Sequence, residues 1–193
     1  MMKTCLKTSL CLLLGILMIL GSSCSIYQER KTADPTYMST RKKIIKTPRI
    51  KGTEEYEVYT VIVDMDHGDH VETLACYADG KTEMYFSTGE SYLQLDKDRP
   101  ALAQATQALM KGLEEHLDAA ARLGRTELAL PKAGLDKLYF VTDIGLYTMI
   151  IDPARLSESS EALQSISALY NAVYDLAIVD CVPQASAQTQ AAT

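Results

Sequence analysis

Two stretches of alternating apolar residues, 71–87 and 137–151, are each broken by a short turn signal, which restricts the 193-residue chain to folds built on an antiparallel sheet. Alternation puts successive side chains on opposite faces, and a tight turn joins only strands that run in opposite directions. In the first stretch the turn is Asp79-Gly80, because a two-residue connection needs positive backbone angles that Asp followed by Gly supplies. Tyr77 then faces Thr82, which places Val71, Thr73, Ala75, Tyr77, Met84 and Phe86 on one face, the better core candidate. Leu74, Cys76 and Tyr85 share the other face with Glu72, Lys81 and Glu83. In the second stretch Asp143, Ile144 and Gly145 read as a three-residue loop with the glycine left-handed. Both faces of that hairpin are apolar: Leu138, Phe140, Leu146, Thr148 and Ile150 on one, Tyr139, Val141, Tyr147 and Met149 on the other. Its strands are therefore central or covered on both sides. The face bearing Tyr139, Val141, Tyr147 and Met149 is expected to be buried by a helix or by another protein, and it is the candidate partner surface.

A strand over 56–64 precedes these hairpins. Asp98 is positioned to cap a helix begun near Arg99 and Pro100, in which Leu102, Ala105, Leu109, Leu113, Leu117 and Ala120 recur at helical spacing and Gly124 is the stop. Ser157 is the expected cap of a last helix whose stripe is Leu163, Ile166, Tyr170, Val173 and Ala177. The order βββαββα predicts a single α+β domain over 56–182, with a five-stranded, mainly antiparallel sheet and two helices. Whether the helices share one face is not visible in the pattern. Residues 183–193 form a small-polar tail expected to be disordered. Residues 24–55 hold no sustained period and are interrupted by Pro35 and Pro48, so they read as a mostly irregular basic tether.

At the N-terminus, Lys3 and Lys7 precede an apolar run from Leu10 to Leu20 and the small residues Gly21, Ser22 and Ser23. That architecture is a secretory signal peptide, and the apolar run is too short to span a bilayer as a mature helix. With Cys24 next, the segment resembles the bacterial lipoprotein precursor, in which the signal is removed before a cysteine that is lipidated. The family usually has Leu three places before the cysteine, whereas Gly21 stands there and Leu20 one place earlier. The resemblance covers residues 1–24 and implies removal of 1–23, acylation of Cys24 with palmitate-type chains, and attachment to the membrane through the N-terminal lipid. In a Gram-negative organism Ser25 after the cysteine resembles lipoproteins sent to the outer membrane.

The formal net charge is −6, and the imbalance is uneven. Basic residues outnumber acidic ones from 25 to 55, whereas acidic residues dominate from 56 onward. A basic segment beside a lipid anchor suits anionic head groups while an acidic domain is held away, and Arg41, Lys42 and Lys43 read either so or as a solvated linker run. Nucleic acid is excluded as a partner for so acidic a domain. Of five cysteines, Cys5 and Cys11 leave with the signal and Cys24 is used by lipid. Cys76 and Cys181 remain, as a bridge that an exported compartment permits or as two buried apolar side chains.

Chemistry-bearing residues are densest in the stretch 64–70, where Asp64, Asp66 and Asp69 alternate with His67 and His70. Divalent ions use such ligands, and His67, His70, Asp66 and Asp69 are the candidate metal set, although the spacing matches no established metal loop and Asp and Gly also form ordinary turns. His116 reads as a half-exposed helix residue, and Ser87 to Ser91 as a turn without a nucleophile elbow. No cofactor fingerprint is present. The leading reading is a lipid-anchored envelope protein that binds, assembles or supports, with an envelope protein or glycan as partner; the alternative is a metal-dependent or other hydrolytic enzyme.

Overall fold

A computed structural model describes residues 32–46, 58–123 and 128–181. Its architecture is α+β, as expected, but the antiparallel sheet has seven strands rather than five. In chain order these are β1 (Val58–Asp66), β2 (Val71–Tyr77), β3 (Thr82–Phe86), β4 (Ser91–Tyr92), β5 (Ala121–Arg122), β6 (Asp136–Thr142) and β7 (Leu146–Ile151). In space they run β4-β3-β2-β1-β6-β7-β5. The two added strands are two-residue edge segments, too short to carry a periodic signal.

Helix α2 (Pro100–Glu115) and helix α3 (Glu161–Ile178) pack on the same face of the sheet, against Val61, Val63, Leu74, Cys76, Met84, Leu138 and Phe140. The apolar stripe of α3 is the expected one, with Ile166, Tyr170, Val173 and Ala177 buried. Its cap is Ser160 rather than Ser157, which belongs to a preceding 3-10 segment, Pro153–Glu158. Asp98 does not cap α2: it adopts φ +61° and the N-cap is Arg99. The expected stop at Gly124 and the tail 183–193 lie outside the described residues, as does Cys24.

The opposite face is covered by an element expected to be tether. Helix α1 (Pro35–Ile45) begins at Asp34, whose Oδ1 accepts the Thr36 and Tyr37 amides at 2.7 and 3.1 Å. Pro35 occupies the first helical turn, where its missing N–H costs nothing, so it starts the helix instead of interrupting it. Lys42 and Lys43 fall in the last turn, complementing the negative end of the helix dipole. Tyr37, Ile44 and Ile45 bury against Ile62, Ala75, Tyr85, Tyr139 and Val141, with Leu128 and Leu130 packing beside them.

Arg41 is not part of a solvated run. It is 1% exposed, and its Nε donates to both oxygens of the fully buried Asp64 at 3.0 and 2.9 Å, with an Nη2 bond to Oδ2 as well. Its Nη1 donates to Leu128 O at 2.6 Å, and its guanidinium lies 5.0 Å from the Tyr139 ring centre. Thr73 Oγ1 completes the cluster by donating to Asp64 at 2.7 Å while bonding the Tyr37 hydroxyl at 2.7 Å. Although burial works against its charge, Asp64 beside it raises the affinity of the guanidinium for its proton.

Both hairpins close one residue away from the expected register. In the first, Cys76 pairs with Thr82 and the loop is Ala78-Asp79-Gly80, with Gly80 at φ +89°. That single residue moves Met84 and Phe86 onto the face of Leu74 and Cys76, beneath α2 and α3, and puts Tyr85 with Ala75 beneath α1. In the second, Thr142 N donates to Gly145 O at 3.0 Å across Asp143-Ile144, and Gly145 has no positive φ. Phe140 therefore pairs with Tyr147 and Leu138 with Met149. The candidate partner surface is split: Tyr139 and Val141 lie under α1, at 0% and 3% exposure, while Met149 and Tyr147 pack on the α2–α3 side.

Candidate functional site

The β1–β2 connection is a tight turn closed by His67 N donating to His70 O at 3.0 Å, with Gly68 at φ +89°. It sets the two imidazoles face to face, ring centres 5.3 Å apart. The stack continues on either side, from His67 to Tyr174 of α3 at 6.4 Å and from His70 to Phe86 of β3 at 6.3 Å. Phe86 then meets Tyr92 of β4 edge to face at 5.7 Å. Five rings from four elements thus form a row across one end of the sheet.

Glu72 is the hub of this row. It shares a sheet face with Leu74 and Cys76, but at the end of the sheet, where the apolar stripe gives way to the turn. His70 Nε2 bonds its Oε1 at 3.0 Å, His67 Nε2 lies 3.4 Å from Oε2, and the Tyr174 hydroxyl donates to Oε2 at 2.8 Å. Burial alone would push the Glu72 carboxyl up, yet these three partners hold it down at about 2. His67 is raised by its bond to Glu72. His70 is raised despite its burial, because Nδ1 also meets Asp69 Oδ1 at 2.7 Å and both ring nitrogens face carboxylates.

Beside the hub lies a half-open pocket of about 440 Å³ lined by His70, Glu72, Phe86, Thr88, Glu90, Tyr92, Ile178 and Cys181. Its floor is the C-terminal end of α3, and its rim is the β3–β4 turn, held by Phe86 N to Glu90 O at 2.9 Å. Cys181 is buried and free, as is Cys76. Burial, with the Asp180 and Glu72 charges nearby, pushes the Cys181 thiol up to about 11, so it carries its proton at neutral pH.

Of the candidate metal residues, the structure unites His67 and His70 and joins Asp69 to His70, but Asp66 turns away to accept the Gly134 amide at 2.7 Å. Among the described residues no group of three or more His, Cys, Asp or Glu side chains is placed to hold a metal ion. Ser87 Oγ is used by the Val71 amide at 2.8 Å, and His116 is the C-cap of α2. Sequence reasoning missed Glu72, Phe86, Tyr92, Tyr174 and Cys181 as a set. The available signal was Glu72, near the start of the strand and only two residues beyond His70 of the turn.

Compared with protein-family models, curated proteins and solved structures, the chain matches none. Among the described residues no helix is long and apolar enough to cross a membrane.

Proposed function

We propose that the chain is a lipid-anchored binding protein of the cell envelope whose α+β domain takes its ligand in the pocket beside Glu72. The observation that carries the binding role is how the groups in and around that pocket are engaged. Its carboxylate hub already holds two imidazoles and a phenol, its thiol is protonated, and among the described residues neither imidazole has a hydroxyl or thiol bonded to it as an activated nucleophile needs. What remains open to a ligand is ring faces and apolar floor, the usual make-up of a recognition site. The alternative of a hydrolase rests on the same histidines, and their commitment to Glu72 weighs against it.

The anchor rests on the signal architecture and on Cys24. Asp34, whose amide donates to Ser87 O at 2.8 Å, sits against the turn that forms the pocket rim, next to Gly89. Ten residue-to-residue steps link it to Cys24 and reach at most ~35 Å, so a lipidated Cys24 keeps the pocket close to the bilayer. Two acyl chains suffice for stable attachment, at about 0.8 kcal/mol for each buried methylene. Intact mass spectrometry of protein extracted from membranes is expected to show loss of residues 1–23 and added acyl mass, and Cys24→Ala to abolish both the mass and the membrane fraction. An unmodified soluble product from the wild-type chain refutes the anchor.

A further inference from the structure

The pocket is unusual in the sign of what surrounds it. Glu72 stands inside and Glu90 at the rim, and among the described residues neither Lys nor Arg lines the pocket. Both nitrogens of His70 face carboxylates, Asp69 and Glu72, which offset the positive charge it carries when protonated. Among the described residues around the pocket, the carboxylates of Asp69, Glu72 and Glu90 outnumber His67 and His70 even with both imidazoles protonated. The floor adds to this field, because Ile178 closes an 18-residue helix whose C-terminal end is the negative pole of its dipole. Arg99 bonds both Leu176 O and the Asp180 carboxylate there and offsets part of that field, so the rim carboxylate of Glu90 carries most of the attraction.

Shape and surface narrow the ligand further. Phe86 and Tyr92, with planes at 74°, form a corner of two aromatic walls, and Ile178 and Cys181 complete an apolar lining. A hydrated metal or ammonium ion gains little from such walls, whereas an alkylated ammonium is drawn to ring faces and loses little hydration on entry. An anion would meet the Glu90 carboxylate at the rim, and the imidazole of His70 is already engaged at both ring nitrogens. A volume of about 440 Å³ suits a small organic molecule rather than a peptide or glycan chain.

We propose that this pocket binds a small organic ammonium ion bearing an apolar group, with Phe86 and Tyr92 against the alkylated nitrogen and the exposed Glu90 at the rim supplying the countercharge. The proposal rests on reading the pocket as a binding site and is independent of the anchor.

Isothermal titration of the full chain, purified in a non-ionic detergent, with benzyltrimethylammonium, benzyl alcohol and phenylacetate separates charge from apolar contact. The expected order is benzyltrimethylammonium tightest, about tenfold tighter than benzyl alcohol, with phenylacetate weakest. Tyr92→Phe keeps the affinity, Tyr92→Leu weakens it about fivefold or more, and added salt weakens it further. Glu90 is exposed, so Glu90→Gln retains the fold and is expected to weaken the cation about threefold while leaving benzyl alcohol unchanged. Equal affinity for the cation and benzyl alcohol, tighter binding of phenylacetate, or no loss in Glu90→Gln overturns the proposal. Mass spectrometry of Cys24 is unaffected by either result, so failure here and failure of the anchor are told apart.

Discussion

Replacing Arg41 by Met tests whether α1 belongs to the folded domain. The side chain is 1% exposed and supplies three bonds to a carboxylate that is 0% exposed, so the variant leaves Asp64 buried with Thr73 as its donor. Removing one partner of a buried, hydrogen-bonded ion pair costs about 3–5 kcal/mol, most of it the penalty of the stranded charge. A further contribution comes from Leu128 O, which loses its 2.6 Å donor. Total stability of a domain is about 5–15 kcal/mol, so this loss is a large part of it. At roughly 2–4 °C per kcal/mol for a domain of this size, the thermal midpoint should fall by about 6–20 °C. Urea unfolding followed by circular dichroism measures it, with Lys42→Met as the control, because Lys42 is exposed on the same helix and is expected to change stability by less than about 0.5 kcal/mol. Adding Asp64→Asn to Arg41→Met should recover much of the loss by removing the stranded charge while keeping an acceptor for Thr73. If Arg41→Met behaves like Lys42→Met, the docking of α1 is refuted and residues 24–55 act as a tether after all.

Other outcomes follow from the same geometry. His67 and His70 are raised above 6.5, so their stabilisation is complete below that value and is lost as pH rises through their folded values; Glu72, held at about 2 against an ordinary 4.5, gives stability that is present above 4.5 and lost as pH falls toward 2. Urea midpoints should therefore decline from pH 6 to pH 8, and Glu72→Gln should flatten that decline; an unchanged slope in the variant rejects the cluster. Tyr170→Phe strips the buried Asp136 carboxylate of a 2.6 Å donor and should cost about 1.5–3 kcal/mol in the same assay. Neither Cys76 nor Cys181 should react with iodoacetamide in the native state at pH 7.5, since both are buried with thiols pushed up to about 12 and 11, and both should react once unfolded. Nuclear Overhauser contacts should pair Leu74 with Met84 and Phe140 with Tyr147; contacts between Tyr77 and Thr82 as a facing pair would restore the two-residue turn.

What the sequence determined is whatever depends on neighbours along the chain. Alternation in 71–87 and 137–151 encoded two hairpins, the stripe from Ile166 to Ala177 encoded α3, and the polar, glycine-containing stretch after Asp64 encoded a turn that gathers its two histidines. Tertiary structure decided what depends on partners far away. The loop at Ala78-Asp79-Gly80 and the loop at Asp143-Ile144 each differ by one residue from the local preference, because a one-residue slip turns a whole strand over and the buried faces on both sides of the sheet choose between the alternatives. Helix α1 was illegible for the same reason: its strongest claim to order is Arg41, a basic residue in a basic run until Asp64, 23 positions later, is brought beneath it. Tyr139 and Tyr147, adjacent by pattern, end on opposite faces, and the site assembles instead around Glu72, whose meaning appears only when β3, β4 and α3 bring Phe86, Tyr92 and Tyr174 to the turn where His67 and His70 already wait.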